Sequence, residues 1–106
     1  MKELRSKLTV LLMHLLKWAY QPEKQGRSWY ATIMTQRHAI ADHLAENPSL
    51  KSREVAEFQR AYKDARLEAS GGTDMALETF PADPPFSLGD AMDEDWWPEP
   101  VQRDDA

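Results

Sequence analysis

Basic and aromatic side chains interleave over a short span of the chain: Lys17, Trp18, Tyr20, Lys24, Arg27, Trp29, Tyr30 and Arg37. Cations neutralise phosphates and flat rings stack on bases, so this mixture can hold single-stranded nucleic acid. The same residues allow a structural reading, in which Trp18, Tyr20 and Trp29 staple a turn and a Lys or Arg rests on a ring face. Further along, Asp83, Asp90, Asp93, Glu94, Asp95, Glu99, Asp104 and Asp105 gather around Trp96 and Trp97. Such a run can enter the basic groove of a nucleic-acid-binding protein by the electrostatics that draw DNA there. It can also dock on its own body and cancel the basic cluster, and self-docking is the preferred account of the turn.

Reactive chemistry has little support. His14 lies on an apolar face, where a packed, hydrogen-bonded histidine is the ordinary outcome. His38 and Asp42 stand one turn apart and could share a metal, but His43 is rotated away and no third ligand follows. That spacing is not the i,i+4 double histidine of zinc hydrolases. Ser28, Ser49 and Ser87 stand where helix caps belong, and none has the glycine-flanked turn of a hydrolase elbow. Nothing in the glycine spacing makes a phosphate loop. A non-enzymatic protein with no catalytic residue, metal ligand or cofactor is expected, with an enzyme acting through His14 or His38 as the alternative.

The elements that must position these groups follow from periodicity. Leu4, Leu8, Leu11, Leu12, Leu15 and Leu16 recur at helical spacing, with Val10 and Met13 on a second side, which predicts a central helix from Lys2 to Tyr20. Pro22 and Gly26 mark a loop. Ser28 is the expected cap of a second helix running to about Glu46, with Trp29, Ile33, Ile40, Leu44, Ala41 and Ala45 facing inward. Asn47 or Ser49 then caps a third helix to about Ser70, whose stripe is Val55, Phe58, Tyr62, Ala65 and Ala69. Gly71-Gly72 is the expected stop. Five of the seven prolines lie beyond residue 80. Ser87 can cap a short helix over Leu88 to Met92, and Asp93 to Pro98 reads as extended. The fold class is therefore all-α: a small bundle of three main helices, a short fourth, and an irregular acidic strap from about residue 73. Residues 1–98 form one domain, and 99–106 are expected to be a disordered acidic tail.

Charge sharpens the division. Of 13 basic and 18 acidic residues, residues 1–66 hold 12 and 7, whereas 67–106 hold 1 and 11. Cysteine is absent, which excludes disulfides and thiol chemistry. The longest apolar run, Leu8 to Leu16, is half the length needed to cross a bilayer. A cytoplasmic protein with no membrane association is expected.

The combination Leu11-Leu12-Met13-His14-Leu15-Leu16-Lys17-Trp18, Tyr20-Gln21-Pro22, Arg27-Ser28-Trp29, Gln36-Arg37, Asn47-Pro48-Ser49-Leu50, Ala61-Tyr62 with Ala65-Arg66, and Asp93-Glu94-Asp95-Trp96-Trp97-Pro98 resembles the bacterial family called domain of unknown function 29. The resemblance covers nearly the whole chain and implies a helical bundle without an assigned activity. Members usually carry a further segment upstream, including an acidic helix. The resemblance therefore implies an uncovered surface on the first helix, and a homodimer is one way to cover it.

Taken together, these features suggest a small protein-binding protein, one version being an acidic inhibitor or modulator of a phage or mobile-element type. Its partner would be a protein with a basic nucleic-acid groove, met through Asp90, Asp93, Glu94, Asp95 and an exposed Trp96. The alternative is a nucleic-acid-binding module using Lys17, Trp18, Lys24, Arg27, Trp29 and Arg37.

Overall fold

The computed structural model describes residues 2–102. Among them the regular structure is helical throughout: α1 Lys2–Tyr20, α2 Arg27–Glu46, α3 Glu54–Thr73 and the short α4 Leu88–Met92, with 3₁₀ turns at Pro22–Lys24, Pro48–Arg53 and Leu77–Thr79. The expected all-α bundle with an irregular strap is what forms.

Helix α1 is the hub. It packs against both α2 and α3, which barely touch one another. Its leucines Leu4, Leu8, Leu11, Leu12, Leu15 and Leu16 are all fully buried. Burying one leucine contributes about 1.5–3 kcal/mol, so apolar residues on more than one side of a helix hold it between two neighbours. Ile33 and Ile40 from α2, and Phe58, Ala61, Tyr62, Ala65 and Ala69 from α3, complete the contact. The alanines of α3 let that helix approach closely. An ion pair spans the same interface, from Arg5 Nε to Glu57 Oε1 at 3.0 Å.

Proline sets two of the helix ends. Pro22 and Pro48 keep the preceding Gln21 and Asn47 out of helical geometry, with ψ of 62° and 72°. Each proline then opens a 3₁₀ turn, where its missing N–H costs nothing. Asn47 closes α2 from outside, its backbone and side-chain amides both donating to His43 O at 3.0 Å.

Several expected boundaries and faces differ. Gly26, not Ser28, is the N-cap of α2, and Arg27 is its first residue. The inward face of α2 is Ile33, Arg37 and Ile40; Ala41 and Ala45 are exposed, while Trp29 and Leu44 are half-buried. Val55 is exposed, because α3 begins at Glu54 and its first turn projects past the end of α1's apolar face. Ser49 caps nothing; the residues after Asn47 form a 3₁₀ turn that buries only Leu50. At the other end, α3 runs through Gly71-Gly72 to Thr73, and Asp74 takes the left-handed conformation at φ 58°. Local hydroxyls carry the helix past the glycines: Thr73 Oγ1 donates to Ala69 O at 2.7 Å and Ser70 Oγ to Met75 O at 2.6 Å. Gly72 serves close approach instead. A Cβ there would lie 3.0 Å from Lys17 Cε, whereas nothing lies within 4 Å of a Cβ at Gly71.

The two glycines are therefore distinguishable. Glycine inside a helix costs about 0.5–1 kcal/mol relative to alanine. Gly71→Ala should raise the unfolding free energy by that amount, read as a higher urea midpoint, and Gly72→Ala should gain less because Lys17 must move.

Candidate functional site

Prolines confine regular structure in the segment after residue 80 to the short α4, so carbonyls outside its few internal bonds need donors from elsewhere. Two helices supply them. On α3, Tyr62 Oη donates to Pro81 O at 2.7 Å and Arg66 Nε donates to Phe80 O at 3.0 Å. Burial pushes the Tyr62 phenol up to about 12. On α2, Arg37 Nε donates to Ala91 O and Arg37 Nη2 donates to Trp96 O, both at 2.8 Å. Between these anchors Phe80, Phe86 and Ala91 enter the core. Ser87 caps α4 as expected, its Oγ accepting from Asp90 N–H at 3.0 Å.

Arg37 is 1 % exposed, the most heavily buried charge in the described chain. Burial pulls its pKa down, and Asp93, Glu94 and Tyr30 nearby push it back; an arginine stays charged under either influence. No carboxylate is paired directly with it. Backbone carbonyls, the Met34 sulfur at 3.8 Å and the face of Trp97, 5.0 Å from Cζ, surround the guanidinium. Trp97 also meets Trp18 at 4.6 Å between ring centroids and stacks nearly parallel on Tyr30 at 5.2 Å. Lys17 lies over the Trp29 ring at 5.8 Å, and Gln25 Nε2 donates to Trp18 O at 2.9 Å across the turn. The strap thus closes on the basic, aromatic turn of its own chain.

This closure sorts the sequence candidates. Of the nucleic-acid set, Arg37 is buried with each of its three nitrogens already engaged, Trp18 is half-buried against Trp97, and Lys17 and Trp29 are half-buried against each other. Lys24 and Arg27 alone remain exposed. Of the tail set, Asp93, Glu94 and Asp95 are exposed, whereas Asp90 is half-buried. Asp93 Oδ1 accepts from Asp95 N–H at 2.9 Å, a local turn that fixes the direction of this acidic corner. Glu94 Oε1 lies 3.3 Å from His38 Nε2, so His38 faces the strap. Trp96, expected to be exposed, is half-buried with its ring edge-on to Phe86 at 5.4 Å. Of the stretch from residue 99 onward, 99–102 are described, and Val101 N–H donates to Ala19 O at 2.8 Å. Residues 103–106 lie outside the described residues.

Sequence reasoning missed Tyr62 and Arg66 as strap anchors. Their i,i+4 spacing on one side of α3, ahead of a Pro-rich stretch, was the available signal. His14 is half-buried with its ring Nδ1 2.8 Å from Val10 O, the packed histidine expected. Among the described residues no group of three His, Asp or Glu could hold a metal ion, and no helix is long and apolar enough to cross a membrane.

Residues 1–97 match the model of the family described as Domain of unknown function DUF29. No curated protein and no solved structure matches the chain.

Two measurements follow from this geometry. Arg37→Lys cannot reach both carbonyls. At about 1.5–3 kcal/mol for a hydrogen bond to a charged group, it should lower stability by about 2–3 kcal/mol in urea unfolding and expose the strap to limited proteolysis. Burial also holds His14 below its ordinary 6.5, with the Val10 contact opposing and Lys17 adding to the shift. The folded state therefore disfavours the imidazolium. That contribution to stability is fully present above 6.5 and is lost as pH falls below it. His14→Gln should flatten the difference between unfolding midpoints measured at neutral and mildly acidic pH.

Proposed function

The chain belongs to the DUF29 family, and we propose that it is a non-enzymatic protein-binding protein whose acidic corner, Asp93-Glu94-Asp95, engages a basic surface of a partner. The observation that carries this reading is the pairing of exposure with rigidity. The three carboxylates face solvent while the backbone on either side, at Ala91 and Trp96, is held by the buried Arg37 guanidinium. A pre-set acidic corner loses little conformational freedom on binding, and its field raises the encounter rate with a cationic surface. A groove that ordinarily holds nucleic acid is one such surface, and a cytoplasmic inhibitor or modulator of its owner is the concrete form of the reading.

The nucleic-acid alternative is less favoured, because Trp97 and Arg37 use each other and Trp18 internally. Only Lys24 and Arg27 of that set are exposed, and the half-exposed Tyr30 ring that follows them already stacks on Trp97.

The test compares the tagged chain with its Asp93→Asn/Glu94→Gln/Asp95→Asn variant in extracts of the native host, at moderate and high salt. The wild type should retain a basic protein that high salt releases and the variant fails to hold, with helical circular dichroism unchanged. Equal retention by both would sink the reading. A shift of labelled single-stranded DNA that disappears on Lys24→Ala/Arg27→Ala would transfer support to the alternative.

A further inference from the structure

Between the end of α1 and the strap lies a cavity of about 290 Å³. Its lining includes Ala19 and Tyr20 from α1 and Phe86, Trp96, Pro98 and Glu99 from the strap. The lining is mostly aromatic and aliphatic, no cation takes part, and the single charged member, Glu99, is exposed. The walls are held in place from several directions. Phe86 and Trp96 meet edge-on at 5.4 Å, Trp96 O is bound by Arg37 Nη2, and Val101 N–H is bound to Ala19 O at 2.8 Å.

We infer that this cavity is a receptor for an arginine side chain of the partner, its aliphatic stem against Tyr20, Phe86, Trp96 and Pro98 and its guanidinium at Glu99. The chemistry of the lining selects that occupant. A three-carbon stem fills apolar space while the head stays near water, and Glu99 is the lining residue that is both charged and exposed. Arginine further offers a planar fork that matches a carboxylate in a bidentate pair. An acidic side chain would meet Glu99 as a like charge, and a purely apolar one would leave that carboxylate unused. The acidic corner sits immediately before Trp96 in the chain, so a basic segment could place one arginine in the cavity and further cations against Asp93, Glu94 and Asp95. This deepens the proposed function and rests on it: the corner supplies long-range attraction, and the cavity supplies choice of side chain.

The experiment is an NMR titration of the ¹⁵N-labelled full chain with the acetylated, amidated peptide Gly-Gly-Arg-Gly-Arg-Gly-Gly. Its citrulline counterpart, equal in shape but uncharged, is the control. The arginine peptide should shift the Trp96 indole N–H and the Val101 amide saturably. The citrulline peptide, and the arginine peptide against Glu99→Lys, should bind at least tenfold more weakly. Because Glu99 is exposed, that variant leaves the core untouched. Shifts confined to Asp93–Asp95 and indifferent to Glu99→Lys would overturn the cavity assignment while leaving the acidic corner in place. No saturable shift at millimolar peptide would overturn it as well. In the triple neutral variant of the corner, persistence of the Trp96 shift would support the cavity independently, even where partner retention is unaffected and the corner reading fails.

Discussion

A charged guanidinium that pairs directly with no carboxylate among the described residues sits at the junction of helix and strap. Stripping water from a cation costs several kcal/mol unless other groups replace it, and at Arg37 the replacements are two backbone carbonyls and an indole face. The dependence runs both ways. Without Arg37, Ala91 O and Trp96 O would be carbonyls of a segment that has no ladder to satisfy them. Without the strap, Arg37 would be an exposed cation amid aromatic rings. Neither half reaches its observed state alone, and that mutual requirement turns a Pro-rich, acidic stretch into part of the fold.

The leucine core serves this junction indirectly. By placing α2 on one side of α1 and α3 on the other, α1 sets the separation between the two helices that grip the strap. Arg66 and Tyr62 hold its start and Arg37 holds its end. The strap crosses from the α3 side to the α2 side, and the aromatic residues Phe80, Phe86 and Trp97 settle along the way against α1 and α2. Lys17 adds a further link, reaching from α1 to the ring of Trp29 on one hand and to the Cβ-less backbone of Gly72 on the other.

What was legible in the sequence was local or periodic. Leucine spacing announced α1 at its observed bounds, and Ser87 announced α4, because each signal is contained within one or two turns of chain. Charge asymmetry together with the aromatic cluster anticipated that the tail would close on the turn. Details decided by distant contacts were not legible. Val55 fits the α3 repeat, yet whether anything covers it depends on how far the neighbouring elements reach along α3. Gly71-Gly72 looks like a stop, yet the hydroxyls of Ser70 and Thr73 and the approach of Lys17 keep the helix going. Two adjacent tryptophans carry no mark of which faces Arg37, and Trp97 rather than Trp96 takes that place. Arg37 itself reads as a surface cation in any window of sequence, since the carbonyls that bury it lie 54 and 59 residues away.

That separation has a consequence for the order in which the molecule comes into being. Chains are synthesised from the N-terminus, and elements assemble as they emerge. Helices α1 and α2 are complete by residue 46, long before the ribosome reaches residue 96. Until residues 91, 96 and 97 are made, Arg37 lacks the two carbonyls and the indole face that enclose it, and Trp18 lacks its contact with Trp97. Translation of the Pro-rich strap therefore closes a surface over an arginine made 54 and 59 residues earlier than the two carbonyls that hold it.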